Sequence, residues 1–312
     1  MAYRGLGKYS VALEYYNKAL IIRIETYGKS HPKTGNIYSS LGSLYNLMGN
    51  YEKTEFYLKK ALESSGNRKA ENRENLSFRF YRLGSFYKDI DKYQLSLDHY
   101  KEALKIQLEL FGEENTHVAN TYYSLGLTFG KMGFQEINYE YLQKALKIYL
   151  NKKKKHFNIG KIYNAIASSL MARGIYEEAL LFYKKSLEIS IQTLGENHFQ
   201  VATAYNNIAS IYLLKNDFEQ ALVYNKKSLN ITINNFEKNH YKVAEVYNDL
   251  GDILLEKKQY KKAILHYKNA LDIYTAIYGN NNSNISNTLT RVAILYHELE
   301  DFNKALDYFD KS

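Results

Sequence analysis

Four sets of residues in this chain have types and spacings that could do chemistry. His31, His198 and His240 could be imidazole ligands for a metal such as zinc. The carboxylate pairs Glu113-Glu114 and Glu177-Glu178 could work as a proton donor and acceptor. The run Lys152, Lys153, Lys154 and Lys155 could hold an acidic partner or nucleic acid. Asn164, Asn206 and Asn248 recur in one register, and an amide offers donors and an acceptor together.

What these sets can do depends on the elements that carry them, and one spacing organises those elements. Tyr9, Tyr51 and Tyr93 lie 42 residues apart, as do Tyr176, Phe218, Tyr260 and Phe302. A small residue recurs as Gly42, Gly84, Gly126, Ala167, Ala209, Gly251 and Ala293, with a single 41-residue step at 126 to 167. The series Ala19, Ala61, Ala103, Ala145, Ser186, Ser228, Ala270 and Ser312 has its short step at 145 to 186. The missing residue therefore falls between Ala145 and Ala167, in a turn.

Within one period, Val201 to Leu229 holds two amphipathic patterns divided by Lys215-Asn216-Asp217. Tyr205, Ile208, Ala209 and Tyr212 fall at i, i+3, i+4 and i+7 of a first helix. Phe218, Ala221, Leu222, Tyr224 and Leu229 mark a second. Such a helix hairpin, repeated at fixed period, predicts an all-α, right-handed superhelical solenoid of antiparallel hairpins.

The expected organisation is one solenoid over residues 1–312. Its complete hairpins are expected at about 31–66, 73–111, 116–150, 158–194, 198–236 and 240–278, with half-repeats at 1–27 and 283–312. Neither end carries the polar capping element arrays usually have, so the sequence reads as a fragment of a longer array. Two departures stand out. Ser64 replaces the isoleucine of other copies (Ile22, Ile106, Ile189, Ile231, Ile273), predicting an early helix end and a mobile turn through Gly66 and Asn67. Gln135 stands where Tyr51 and Tyr93 stand, with the aromatic one residue early.

Placed on this frame, most of the chemical candidates lose their chemistry. The three histidines occupy the same turn of different repeats. Packed helices sit about 8–10 Å apart and each repeat adds two, so they cannot share a metal. The paired carboxylates sit near helix starts, where negative charge is favourable. No phosphate loop or Ser-His-Asp arrangement occurs. The reading is a non-enzyme with no cofactor and no metal.

Composition agrees. One proline in 312 residues suits a nearly all-helical chain, and the 32 tyrosines fall on repeated packing positions such as Tyr38, Tyr122, Tyr163, Tyr205 and Tyr247. There is no cysteine, no apolar run of the ~20 residues a membrane span needs, and no signal-peptide pattern. A cytoplasmic protein without membrane contact is expected. The net charge of +9 favours an acidic partner.

Leu41-Gly42-x-x-Tyr45, Gly49-x-Tyr51, Tyr57 and Lys60-Ala61-Leu62 resemble the tetratricopeptide repeat. The stretch Ala19 to Leu62, with its loop Gly28-Lys29-Ser30-His31-Pro32, is similar to the 42-residue unit of kinesin light chains and their relatives, and so is Tyr205-Asn206-Asn207-Ile208-Ala209. The resemblance covers essentially the whole chain. It implies that first helices line a concave groove and that residues beside the recurrent small position face it. Those residues are rich in amides and hydroxyls: Asn120, Lys161, Asn164, Ser168, Thr203, Asn206, Ser210 and Asn248.

The expected function is a protein–protein interaction scaffold gripping an extended peptide or partner segment in that groove. Two alternatives remain open. One is a regulatory array of a larger multidomain protein. The other, less favoured because the groove lacks an arginine-and-stacking code, is nucleic-acid binding through the basic face. The lysine turn at 152–155 is a secondary basic site.

Overall fold

A computed structural model of the chain describes residues 9–65, 70–152, 156–279 and 282–312. Every element among them is an α-helix. The chain forms two compact units, Met1–Lys152 and Lys153–Ser312, and their junction falls at the one-residue deletion in the repeat. The first unit holds α1 (Tyr9–Tyr27), α2 (Pro32–Leu47), α3 (Tyr51–Glu63), α4 (Ala70–Asp89), α5 (Tyr93–Phe111), α6 (Thr116–Lys131) and α7 (Gln135–Leu150). The second holds α8 (Phe157–Ala172), α9 (Tyr176–Leu194), α10 (Phe199–Leu214), α11 (Phe218–Asn235), α12 (Tyr241–Glu256), α13 (Tyr260–Tyr278), α14 (Ser283–Glu298) and α15 (Phe302–Asp310). The even-numbered helices are first helices, and each packs most extensively on the second helix that follows it.

Local chemistry starts the first helices other than α4. The N-cap is His31, Asn115, His156, His198, His240 or Asn282, whose side chain accepts from the backbone N–H two residues on, at 2.8–3.2 Å. Histidine is an unusual cap. Here Nδ1 supplies the acceptor that Asn115 and Asn282 supply with an amide oxygen. The turn inside each hairpin needs one left-handed residue, taken by Gly49, Gly133 and Gly174 but also by Asp91, Asn216, Lys258 and Glu300 at φ of 58–61°.

The recurrent small residue sets how closely the two helices approach. A Cβ added to Gly84 would lie 2.7 Å from the Tyr100 ring, and one on Gly251 would lie 2.5 Å from the Tyr267 ring. Tyr100, Tyr183 and Tyr267 are consequently fully buried. Burying a large apolar side chain contributes roughly 1.5–3 kcal/mol, so this one position, used in both units, is a main source of cohesion. A second aromatic layer closes five of the hairpins by stacking. Tyr45 lies on Tyr57, Phe129 on Tyr141, Tyr212 on Tyr224 and Tyr296 on Tyr308, with centroids 5.4–5.6 Å apart. His99 takes the same place against Tyr87 at 5.3 Å, and burial lowers its pKa.

The departure at Ser64 has a partner in the next repeat. Helix α3 has 13 residues against 19 in α5. Arg79 of α4 fills the space beside its end, donating to Ser65 Oγ (2.7 Å), Pro32 O (2.8 Å) and Asn36 Oδ1 (3.1 Å). Burial alone pushes the guanidinium down to about 10. Other repeats place Ile37, Thr121, Ile162, Ala204, Val246 and Thr288 at this position. The polar Ser64-Ser65 pair is therefore the complement of a buried arginine. The turn expected to be mobile, 66–69, lies outside the described residues.

Candidate peptide-binding face

The expected groove residues divide between the units. Asn120 stands on α6 of the first; Lys161, Asn164, Ser168, Thr203, Asn206, Ser210 and Asn248 stand on α8, α10 and α12 of the second. Most are engaged by the protein itself. Tyr149 donates to Asn120 Oδ1 at 2.7 Å, and Ser168 Oγ meets Tyr183 Oη at 2.9 Å. Ser210 and Thr203 bond back to carbonyls four residues earlier in α10. Lys161 Nζ lies 4.7 Å from the Phe157 ring centroid. In the basic turn, Lys152 Nζ donates to the Glu114 carbonyl at 2.6 Å, while Lys153, Lys154 and Lys155 lie outside the described residues.

The asparagines join successive first helices to one another. Asn207 Nδ2 donates to Asn164 Oδ1 at 2.6 Å, Asn206 Nδ2 to Asp249 Oδ2 at 2.7 Å, and Asn248 Nδ2 to Thr288 Oγ1 at 3.0 Å. Asn206 also accepts from Asn225 of α11 at 3.1 Å. The ladder anticipated for a ligand thus serves as inter-repeat linkage. Sequence reasoning missed Asp249, Asn225 and Thr288. The signal available was a spacing of one period plus one residue, which pairs 164 with 207 and 206 with 249.

Carboxylates collect on the same face of α12. Asp252 accepts from Tyr267 Oη at 2.5 Å and takes both of its oxygens to Arg291 Nη1 at 2.7 Å. Asp249 is raised to about 6 by burial, with Asp252 and Glu245 adding to the rise and the Asn206 bond and Arg291 opposing it.

The first unit carries an open cavity on its first-helix face. It has about 340 Å³ and lies between α2, α3 and α4, lined by Ser43, Asn46, Leu47, Tyr81, Arg82, Ser85, Phe86 and Asp89. Its base is apolar and its rim polar. Arg82 Nη1 reaches across to Ser39 O (3.1 Å) and Ser43 Oγ (2.7 Å). Asn46 Oδ1 is buried without a hydrogen-bond partner. Ser43, Tyr81 and Ser85 belong to the expected groove register, whereas Asn46, Leu47, Arg82 and Asp89 follow only from packing.

The tetratricopeptide repeat profile matches residues 1–65, 77–151, 158–234, 219–276 and 242–312. The chain belongs to the tetratricopeptide repeat family. As such it is a repeat scaffold of the kind that mediates protein–protein interaction. Solved structures agree on the fold. The apo form of RapI superposes with a TM-score of 0.67 at 16% identity, covering 89% of this chain and 96% of that one. BtubC (BKLC) from P. vanneervenii gives 0.60 at 21%, covering 74% and 89%. Kinesin-light-chain TPR-like repeats from P. anserina give 0.57 at 16%, covering 67% and 98%. A search of curated proteins returns no significant match. Among the described residues no helix is long and apolar enough to cross a membrane, and no three His, Cys, Asp or Glu converge on a possible metal position.

Proposed function

We propose that this tetratricopeptide array binds an extended segment of a protein partner along its first-helix face, and that the cavity between α2, α3 and α4 receives one side chain of that segment. The observation that carries this reading is the open cavity itself, about 340 Å³ between three helices with Leu58 and Phe86 buried at its floor. The apolar base formed with Leu58 and Phe86 supplies burial, and Ser43, Ser85 and Arg82 supply polar contacts at the rim. That is the usual composition of a ligand site. The amides of the second unit hold neighbouring helices together and contribute less to recognition than their number suggests.

The test is direct because Leu47 is 53% exposed and tolerates change without disturbing the core. Peptides of sixteen residues selected from a random library on the whole chain are titrated against Leu47→Glu. Affinity reduced at least about tenfold for a selected class supports the reading. Equal affinity for every selected peptide would remove it.

A further inference from the structure

The outer surface of the second unit carries a registered stripe that the groove does not explain. Leu181 on α9, Val223 on α11 and Leu265 on α13 lie 42 residues apart and are 52%, 47% and 57% exposed. Single exposed aliphatics are ordinary. Three in register on consecutive second helices are not, since a solvated outer position should be polar. In the first unit that position is polar in three of four copies, with Glu14, Asp98 and Glu140 beside Phe56, and α15 of the second unit carries Asp307 there.

The stripe lies in a basic field. Lys184-Lys185 and Lys226-Lys227 follow Leu181 and Val223 by three and four residues, and Lys261-Lys262 precede Leu265 by the same interval. None of these six lysines is in an ion pair among the described residues. Two acids on the same helices are already neutralised by the following repeat: Lys215 holds Glu177 at 2.5 Å, and Lys257 holds Glu219. Glu178, Glu188 and Asp272 remain, so the net positive charge of the face sits on α11 and α13.

We infer that this stripe docks an acidic, extended segment of a protein partner bearing aliphatic residues at regular intervals. The spacing sets the interval. Consecutive second helices are separated by two helix packings, about 16–20 Å, and an extended chain rises about 3.4 Å per residue. Aliphatic anchors therefore recur every five or six residues, with carboxylates between them meeting the lysines. A bilayer surface fits less well, because one aliphatic side chain per 16–20 Å leaves no continuous apolar face to bury.

A random sixteen-residue peptide library displayed against the whole chain, and depleted against Leu181→Ser/Val223→Ser/Leu265→Ser, isolates ligands of this surface. All three positions are exposed, and circular dichroism verifies that the variant keeps its helices. Enriched peptides are expected to be net acidic with aliphatics five or six residues apart. They are expected to bind the triple variant at least about tenfold more weakly, to weaken with salt as screened charges do, and to be indifferent to Leu47→Glu. The inference is overturned if no acidic class emerges, if such peptides bind both proteins alike, or if phosphatidylserine vesicles bind through these residues while peptides do not.

Discussion

Asn206 on α10 donates to Asp249 on α12 across 2.7 Å, although the two residues are 43 positions apart. The bond spans one repeat plus one residue, and the same geometry joins Asn164 to Asn207. It makes the inner amides a seam between neighbouring hairpins. Removing them would change the scaffold as well as any ligand surface.

Asn206→Ala should accordingly destabilise the second unit by about 1–3 kcal/mol, because Asp249 loses its donor and Asn225 loses its acceptor. Asp249, now deprived of a bond that favours its ionised form, should titrate above about 6. Denaturant unfolding and a carboxyl NMR titration check the two parts. An unchanged midpoint would mean that the seam contributes nothing.

The raised Asp249 gives a pH dependence with a definite sign. Between its ordinary 3.8 and about 6 the native state holds a proton that the unfolded chain releases. This group's contribution to stability therefore falls as pH rises through that window and stays constant above it. Asp249→Asn keeps an acceptor for Asn206 but carries no charge. It should exceed the wild type at pH 8 by about 1–2 kcal/mol, a value discounted for partial exposure, and match it near pH 4. Melting temperatures at both values decide this, and an advantage confined to pH 4 would reverse the account.

The histidine caps predict a substitution pattern that the protein already illustrates. His198→Asn should be neutral within about 0.5 kcal/mol, since Asn115 and Asn282 cap their helices by the same bond. His198→Ala should cost about 1 kcal/mol. Equal stability of the two variants would show that the Nδ1 bond is not a cap in solution.

Gly251→Ala tests the close approach of α12 and α13. The new Cβ meets the Tyr267 ring at 2.5 Å, and that ring is tied to Asp252 through its hydroxyl. Overpacking of this kind costs about 1–3 kcal/mol. Guanidinium unfolding measures it, and a stabilised variant would show that the ring can yield.

Much of this was legible in the sequence because the repeat is written in residues that packing cannot exchange. The small residue at Gly84 or Gly251 recurs in every hairpin, and the cap residues of α2, α6, α8, α10, α12 and α14 fall on the same period. The tyrosine that fills the gap recurs in alternate hairpins, as Tyr100, Tyr183 and Tyr267. Less legible was what two repeats do to each other. Ser64 looked like an irregularity of its own helix until Arg79, which enters from the following hairpin, explained it. The asparagines looked like ligand contacts because period alone says which residues share a face, not whether a neighbour already occupies them. The α2–α4 cavity depends on where Leu47, Asn46 and Arg82 leave space, and no spacing encodes a space.

The central claim concerns that cavity. The most direct measurement is a backbone and side-chain amide NMR titration of the whole chain with a peptide selected on it. Shifts concentrated at Ser43, Asn46, Leu47, Arg82 and Ser85, with the Asn46 side-chain amide among the largest, are the predicted result. Shifts confined to the outer faces of the second helices, with these five residues unmoved by every selected peptide, would contradict it.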